Sequence, residues 1–394
     1  MPQRERDETM TLSNWQFFAP TKIVFGPGSI GTIADEIKTL GVSKVLIATD
    51  KGVAKAGVLQ KVVDLIRAAG LEVTIFDEVE PNPSVATVEK CYRLYKENGC
   101  QMAIGVGGGS SMDTAKATCI LATNEGPITR FEGANKVPNT PAPSIAVPTT
   151  AGTGAEVTQT CVITDTSRNY KVSIRSTLNV CKVAILDPQL LTSLPPAVVA
   201  STGMDALAHA VESYLSTAAS PLTEALSLEA TRVIANRLRA FVANPADEQA
   251  AADMLYASMT AGLAFANGRL TAVHAIAHAV GGHFHVAHGV GCALMLAPVM
   301  EFCIPAAAAK MAKVAEVMGE DISGLSQEQA ARKAVDAVVK LAKDIGVPTR
   351  LAEVGVTADK IDVLAADSEA SGIQNTTPRK PTLEEIKNLI KNAM

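Results

Sequence analysis

The chain has 394 residues, of which 47% are hydrophobic and 19% charged, and its formal net charge is −5. This length is sufficient for two domains, each with its own hydrophobic core. Both charge signs are interspersed and no basic run occurs, which argues against nucleic acid as a partner. The seven cysteines are scattered without C-x-x-C spacing, a pattern typical of reduced thiols in the cytosol.

Neither end of the sequence nor its interior predicts a targeting or membrane segment. Residues 1–10, M-P-Q-R-E-R-D-E-T-M, are polar and lack the apolar core of a signal peptide. No uninterrupted apolar run reaches the roughly 18 residues that a membrane span needs. We therefore expect a soluble, cytoplasmic protein without a membrane partner.

Two kinds of hydrophobic pattern divide the chain. Between residues 20 and 190, strands are predicted at 44–49, 73–76, 102–106, 144–148 and 182–187, with helices at 55–69 and 84–98. This alternation predicts βαβ units with a mainly parallel, Rossmann-like sheet. After about residue 194 helical periodicity dominates, for example at 222–241, 246–266, 306–318 and 326–345. The sequence thus predicts an α/β domain (1–194) and an all-helical domain (195–394).

A glycine-rich turn follows the third predicted strand and reads G-V-G-G-G-S-S-M-D-T-A-K (105–116). Glycines at such a turn let backbone N–H groups approach a pyrophosphate at a helix N-terminus. The usual dinucleotide fingerprint is incomplete, because Ser110 stands in place of its third glycine. Tight packing alone is an alternative explanation.

A carboxylate, Asp50, ends an earlier predicted strand in A-T-D-K-G. In that place it can bind the ribose hydroxyls of a dinucleotide and would repel a 2′-phosphate, which favours NAD(H) over NADP(H). The alternative is that Asp50 only caps the next helix. A third signal is the hydroxyl-rich loop P-T-T-A-G-T-G-A-E (148–156), in which Thr149, Thr150 and Thr153 can bind phosphate or ribose; the alternative is again a capping loop.

All six histidines lie between His209 and His288, and five of them fall within residues 274–288. The pairs Asp205/His209 and His274/His278 are each spaced by four residues, which places both members on one face of a helix. Imidazoles and one carboxylate from separate segments favour a transition metal such as Fe²⁺, Zn²⁺ or Co²⁺ over Ca²⁺ or Mg²⁺. Hydrogen-bonded core histidines are the alternative, but so dense a cluster argues against them. Spacing alone makes His274 and His278 a natural pair of ligands, with His288 beyond a glycine break.

These motifs together resemble the iron-containing (group III) alcohol dehydrogenases. The resemblance rests on G-G-G-S-S-M-D-T-A-K, P-T-T-A-G-T-G-A-E, G-M-D-A-L-A-H-A-V-E, V-H-A-I-A-H-A-V-G-G and A-H-G-V, and it runs in order from about residue 23 to 386. It implies a dehydroquinate synthase-like fold and hydride transfer between NAD(H) and a short-chain alcohol or aldehyde. It also implies Fe²⁺, with Zn²⁺ as the alternative, and a homodimer or larger homo-oligomer.

The resemblance also assigns roles to individual residues. It implies that Asp205, His209, His274 and His288 bind the metal, and that His278 lies beside it and takes part in proton transfer rather than ligation. The residues implied to bind the cofactor are Asp50 at the adenosine ribose; Asn82, Gly108, Gly109, Ser110 and Asp113 at the pyrophosphate; and Thr149, Thr153 and Lys171 towards the nicotinamide, while Thr150 is a candidate from the hydroxyl-rich loop alone.

Several positions depart from the family pattern. His283 and His285 are extra histidines, for which we expect a place in the pocket or on the surface rather than at the metal. Arg269, five residues before His274, can pair with an anionic group on the substrate, and a surface ion pair is the alternative. The segment N-T-T-P-R (375–379) is longer than the family's N-P-R.

Two other functions are compatible with the fold. A dehydroquinate synthase-like lyase needs lysines and arginines around a phosphate and a carboxylate, and no such cluster surrounds the histidines in the sequence. A glycerol dehydrogenase-like enzyme is the second. A protein that binds metal or nucleotide without catalysis is disfavoured, because both sets of motifs occur in one chain.

Overall fold

The structure is a computed structural model that describes residues 14–394. Residues 1–10, for which no signal peptide is predicted, lie outside the described residues. The strands are β1 (Lys22–Phe25), β2 (Lys44–Ala48), β3 (Glu72–Phe76), β4 (Met102–Gly107), β5 (Gly133–Ala134), β6 (Ser144–Pro148), β7 (Thr160–Asp165), β8 (Tyr170–Arg175) and β9 (Val183–Leu186). The helices among and before them are α1 (Ile33–Thr39), α2 (Lys51–Lys55), α3 (Val58–Ala68), α4 (Val85–Glu97) and α5 (Gly109–Thr123).

Helices alone make up the regular structure after β9 in the described chain, apart from short 3-10 turns. They are α6 (Pro196–Leu215), α7 (Pro221–Ala243), α8 (Glu248–Gly268), α9 (Ala272–Phe284), α10 (His288–Val317), α11 (Gln327–Asp344), α12 (Ile361–Ala370) and α13 (Leu383–Asn392). The predicted fold class is confirmed: a parallel sheet with helices, followed by a helical part. The domain boundary near residue 195 stays a prediction.

The main sheet has six parallel strands in the order β1-β9-β6-β4-β2-β3. Its central strands β4 and β6 are buried along their whole length, as expected for a sheet with helices on both faces. The chain runs from β2 outward to β3 and then returns past β2 to β4. Ligands of open α/β sheets bind at the carboxyl ends of strands where the order reverses in this way. Here that place is the junction of β2 and β4.

A second, three-stranded sheet with the order β5-β8-β7 extends from the first half of the chain. β7 and β8 form an antiparallel hairpin across Thr160–Arg175. Neither this hairpin nor the edge strand β1 is among the predicted strands. The hairpin matters for function because β8 carries Lys171 towards the helical part.

Helix α10 is 30 residues long and, by length and composition, apolar enough to cross a membrane. The sequence prediction concerned uninterrupted apolar runs, and α10 has none of roughly 18 residues, because Glu301 and Lys310 divide it. In the structure 61% of its most apolar stretch is buried within the protein, where it packs on α6, α9 and α11. Pro298, Pro305 and a kink at Ala307 interrupt it. These features are typical of a core helix, and its N-terminus carries His288 into the site described below.

Candidate metal centre and nucleotide cleft

Three helices bring the predicted metal ligands together. Asp205 and His209 lie one turn apart on α6, and His274 lies in the first turn of α9. His288 is the first residue of α10, because the backbone leaves α9 through a left-handed residue, His285, and re-enters a helix only after Ala287. The four side chains therefore meet although they are up to 83 residues apart in the sequence.

Their ligand atoms face one another at short range. The Nε2 atoms of His274 and His288 each lie 3.6 Å from Oδ1 of Asp205, and Nε2 of His209 lies 3.9 Å from it. Two ligands about 2.1 Å from one cation are about 3.4 Å apart at tetrahedral angles and farther apart at wider ones. Asp205 Oδ1 is buried and has no hydrogen-bond partner among the described residues. A buried carboxylate oxygen without a partner is costly, so this donor set fits a divalent cation.

Hydrogen bonds on the far side of two rings set their orientation. Nδ1 of His209 lies 3.1 Å from the carbonyl oxygen of Gly152, and Nδ1 of His274 donates to Glu212. Since a carbonyl and a carboxylate only accept, both Nδ1 atoms carry the proton and both Nε2 lone pairs face the centre. Glu212 is itself held by the backbone N–H of Thr271 at 2.8 Å and by its hydroxyl at 2.6 Å. The sequence prediction missed Glu212, although it lies seven residues after Asp205 and so on the same face of α6.

Two of the three imidazoles at this centre have a lowered pKa, whereas at His274 burial is outweighed by neighbouring anionic groups, which raise its pKa above the usual value. Burial lowers the pKa of His209 to about 4 and that of His288 to about 3, so both imidazoles are neutral near pH 7. Burial alone would raise the pKa of Asp205, but the surrounding imidazoles outweigh it and lower that pKa. Metals bind neutral imidazole and ionised carboxylate, so neither His209 nor His288 has to lose a proton first.

Two further side chains adjoin the centre. The ring of His278 lies 5.2 Å from that of His288 and 6.1 Å from that of His274, and burial lowers its pKa well below the usual value. Among the described residues, the group whose ligand atoms all lie within 4.8 Å of one another comprises Asp205, His274, His288 and Cys292. This group includes neither His278 nor His209. The ligand pair of His274 and His278 suggested by spacing therefore stays a prediction, since the same group also leaves out His209.

A cavity of about 600 Å³ opens beside this centre and is lined by both halves of the chain. The predicted residues that line it are Asn82, Gly109, Ser110, Asp113, Thr153, Lys171, Asp205, His209, Arg269, His274, His278 and His288. Four predicted cofactor residues are not among those that line it: Asp50, Gly108, Thr149 and Thr150. Asp50 and Gly108 lie at the edge of the glycine-rich turn. Thr149 is buried, and its backbone N–H donates to the carbonyl of Gly107.

The glycine-rich turn has the backbone that phosphate binding requires. Gly107 has φ +152°, a conformation that L side chains rarely adopt, and Gly108 begins α5 without a side-chain cap. A Cβ atom added to Gly109 would lie only 2.8 Å from Cγ2 of Thr153. The positive end of this 15-residue helix therefore has no side-chain cap, which suits a phosphate, while the contact at Gly109 shows that the turn also packs tightly on Thr153.

Asp50 caps a helix, and the role at a ribose offered by the sequence stays a prediction. It caps α2, with Oδ1 accepting from the N–H groups of Gly52 at 2.7 Å and Val53 at 3.0 Å. Its Oδ2 atom instead points towards the turn, 3.5 Å from where a Cβ of Gly107 would lie. One oxygen therefore holds the helix while the other faces the switch point between β2 and β4.

Lys171 and Asp113 have structural partners as well as places in the cavity. Lys171 Nζ donates to Oδ1 of Asn82 at 2.8 Å, and burial lowers its pKa to about 8. Asp113 Oδ2 accepts from the backbone N–H of Val162 at 2.9 Å, which ties α5 to β7, and burial raises its pKa to about 6. Since Asp113 Oδ1 is buried without a hydrogen-bond partner in the described chain, Asp113 favours the neutral form more than an ordinary aspartate does.

Lys116, the last residue of the glycine-rich motif, is fully buried and was not singled out from the sequence. Its Nζ donates to the carbonyl oxygens of Ala155 at 2.5 Å, Thr158 at 2.9 Å and Thr160 at 3.1 Å. It therefore fastens the hydroxyl-rich loop to α5.

Arg269 ends α8 with φ +72° and ψ +167°, a region that is essentially restricted to glycine. Its side chain lines the cavity and has no ion-pair or hydrogen-bond partner among the described residues. Partial burial lowers its pKa. Arg175, at the end of β8, also lines the cavity without an ion-pair partner in residues 14–394, and the sequence prediction missed it.

The two extra histidines lie away from the metal ligands, as expected. His283 Nε2 lies 2.6 Å from Oδ2 of Asp367, which lines the cavity, and His285 is an exposed turn residue. The segment that is longer than the family pattern is held in place by Thr376, whose hydroxyl donates to the carbonyl of Leu270 at 2.5 Å. This segment thus forms one rim of the cavity next to Arg269.

Comparison with known proteins agrees with this geometry. The family model described as iron-containing alcohol dehydrogenase matches residues 20–188, and the C-terminal model of the Fe-containing alcohol dehydrogenase family matches residues 199–394. The 1,3-propanediol dehydrogenase of Klebsiella pneumoniae is 40% identical over 98% of this chain and 100% of its own. The NAD-dependent methanol dehydrogenase of Bacillus methanolicus is 38% identical over 96% of this chain and 99% of its own.

Solved structures are similar over almost the whole chain. A crystal structure of 1,3-propanediol oxidoreductase has a TM-score of 0.94 at 40% identity, covering 97% of this chain and 100% of that one. The sulfoacetaldehyde reductase of Bifidobacterium kashiwanohense, in complex with NAD⁺, has a TM-score of 0.86 at 30% identity. The similarity covers 97% of this chain and 99% of that one.

Fold and site together define a metal-dependent oxidoreductase with a nucleotide cleft beside a carboxylate–imidazole centre. The chain belongs to the iron-containing alcohol dehydrogenase family. It is accordingly an alcohol dehydrogenase or aldehyde reductase that acts on CH–OH groups or the corresponding carbonyls.

Proposed function

We propose that this protein transfers hydride between NAD(H) and a short-chain alcohol or aldehyde at a cation held by Asp205, His209, His274 and His288. The observation that carries the proposal is the convergence of three imidazole nitrogens on one unpartnered, buried carboxylate oxygen. This donor set accepts Fe²⁺ and Zn²⁺ alike. We favour Fe²⁺ because the family models are those of iron-containing enzymes.

The cation, when bound, supplies Lewis-acid polarisation of the alcohol or carbonyl oxygen. The protein's own contribution is to keep His209 and His288 neutral and to orient the rings of His209 and His274 towards it. His278 lies on the cavity side of this centre with a depressed pKa, and it is therefore placed to exchange a proton with the substrate oxygen.

NAD(H) supplies the hydride chemistry, and the remaining residues position it. We assign the uncovered N–H groups at Gly109 and Ser110 to the pyrophosphate, and the free oxygen of Asp50 to the adenosine ribose. Gly108 and Thr150 adjoin that turn, and Asn82, Asp113, Thr149, Thr153 and Lys171 complete the proposed cofactor set. The NAD-dependent relative from Bacillus methanolicus supports this cofactor choice.

Arg269 supports a substrate with an anionic group. It is an unpaired guanidinium held beside the metal centre by strained backbone, and the similar sulfoacetaldehyde reductase bears a name that describes an anionic aldehyde. Charge-assisted hydrogen bonds from arginine suit carboxylates and sulfonates.

Assembly and location complete the proposal. The edge strand β1 exposes Ile23 and Phe25, which are 38% and 43% accessible, so it offers an apolar edge for pairing with a second copy. We therefore propose a homodimer or larger homo-oligomer. Seven buried, unpaired cysteines agree with a reducing, cytoplasmic location.

One assay tests the proposal. Protein loaded with Fe²⁺ under anaerobic conditions is given NADH and a short aldehyde, before and after chelation, and then after Fe²⁺ or Zn²⁺ is restored. We expect turnover that is lost on chelation and returns with the metal. Undiminished turnover in protein shown to be metal-free would overturn the proposed metal role.

A further inference from the structure

Arg175 is a cation on the cavity wall to which the proposed function gives no role. Along β8, Lys171 and Arg175 line the cavity, whereas Val172 and Ile174 belong to a hydrophobic cluster on the other side of the hairpin. Side chains of a strand alternate between its two faces, so Lys171 and Arg175 share the inner face. Nζ of Lys171 packs on Gly281 of α9, near the metal centre. At about 3.3 Å per residue, Arg175 lies about 13 Å further along the strand.

The hairpin meets the end of α8 beside Arg175. Thr160 is the register partner of Arg175, and the residue before it, Gln159, donates from Nε2 to the carbonyl oxygen of Ala266 at 3.3 Å. Arg269 follows Ala266 by three residues, about one helical turn, and lines the same cavity. Arg175 and Arg269 therefore belong to two cavity walls that this hydrogen bond joins.

Neither guanidinium has a counterion in the described chain. Three acidic side chains line the cavity among the described residues, and each of them has another role. Asp205 belongs to the proposed metal site. Asp113 Oδ2 accepts from the backbone of β7 at 2.9 Å, and Asp367 Oδ2 lies 2.6 Å from Nε2 of His283. A cleft in which one sign of charge is left unbalanced attracts ligands of the opposite sign.

We infer that Arg175 is a second specificity-determining residue, which together with Arg269 holds a doubly charged oxyanion on the substrate, such as a phosphonate or a phosphate monoester; this rests on the proposed function. Arginine binds such groups through paired, charge-assisted hydrogen bonds. Two guanidiniums balance two negative charges, whereas a sulfonate or a carboxylate leaves one guanidinium unbalanced. The anion takes no part in the hydride step.

A substrate panel on the Fe²⁺-loaded protein tests this inference. Three short aldehydes of similar length carry a phosphonate, a sulfonate or no charge, and kcat/KM is measured at about pH 8, where the phosphonate is doubly charged. We expect the unaltered protein to favour the phosphonate over the neutral aldehyde at least about tenfold, with the sulfonate between them. Arg175→Gln should reduce the preference for the phosphonate about tenfold, and leave kcat/KM for the neutral aldehyde and KM for NADH unchanged.

Arg168→Gln is the matched control. Arg168 lies in the turn of the same hairpin, pairs with Asp165 and Glu132, and does not line the cavity. This variant should keep the preference of the unaltered protein.

The outcomes separate this inference from the proposed function. Equal kcat/KM for charged and neutral aldehydes, or a preference for the sulfonate over the phosphonate, overturns the inference and leaves the proposed function standing. A higher KM for NADH in Arg175→Gln with every aldehyde also overturns it, because Arg175 then binds the pyrophosphate of the coenzyme. Absence of turnover with all three aldehydes overturns both. The panel on the unaltered protein is decisive even if Arg175→Gln does not fold.

Discussion

Glu212 accepts a hydrogen bond from Nδ1 of His274 and so determines which nitrogen of that ring faces Asp205. The two residues come from different helices, α6 and α9, and both are buried. Two bonds from Thr271 hold the carboxylate in place, so the orientation of His274 depends on the packing of these helices.

Replacing Glu212 by glutamine should weaken metal binding without removing a ligand. The amide is nearly the same size but carries no charge, so it stabilises the Nδ1–H tautomer less. Changes to such partners typically lower metal affinity about 10- to 100-fold. Competition against a chromophoric chelator measures the change, with Glu229→Gln on the exposed face of α7 as the control. Equal affinity in both variants would contradict the assigned role of Glu212.

His274 and His278 should respond differently to replacement by alanine. His274→Ala removes a ligand atom and should abolish metal retention through gel filtration. His278→Ala should retain stoichiometric metal yet lower kcat about 100-fold or more, because it removes the group placed for proton exchange. Metal analysis and steady-state rates on the same preparations make the distinction. Equal metal loss in both variants would restore the ligand pair suggested by spacing.

Asp50→Gly should improve the use of NADP(H) relative to NAD(H), because the carboxylate that would repel a 2′-phosphate is gone. We expect the ratio of kcat/KM values to shift at least about tenfold, equivalent to about 1.4 kcal/mol. Glycine also removes the oxygen that caps α2. Asp50→Ser is the companion variant, since serine keeps a capping oxygen without the charge. An unchanged ratio in both variants would refute ribose binding by Asp50.

Arg269→Gly separates substrate binding from backbone strain. Glycine adopts φ +72° and ψ +167° without penalty, so the variant should be about 1–3 kcal/mol more stable to unfolding. Loss of a charge-assisted bond should raise KM for anionic short aldehydes about 10- to 100-fold and leave neutral ones unchanged. Urea unfolding and a paired substrate panel provide the readouts. Parallel changes for neutral and anionic aldehydes would show that Arg269 does not bind the anion.

Local periodicity accounts for what the sequence could predict. Asp205 and His209 share a helix face, so their spacing alone places them together, and the strand pattern located β2, β4 and β6 to within a residue or two. Glu212 and Lys116 are different. Their roles depend on which helix or loop packs against them. The partners of Glu212 lie 59 or more residues away in the sequence, and Ala155, the first partner of Lys116, lies 39 residues away.

The hairpin of β7 and β8 shows the same limit. Its strands pair with each other and with β5 rather than with the main sheet, so the βαβ pattern used for the prediction does not include them. Thr149 shows the converse, because a residue type suited to phosphate is buried against Gly107 and does not line the cavity.

The buried ammonium of Lys116 has a mechanical consequence. It joins the helix that starts at the glycine turn to the carbonyls of Ala155 in the hydroxyl-rich loop, of Thr158 just after it and of Thr160 at the start of β7, so these segments are fastened together. We therefore expect this side of the cavity to stay intact in any motion that opens it, so that access depends on the opposite wall, which α9 and the residues around Arg269 form.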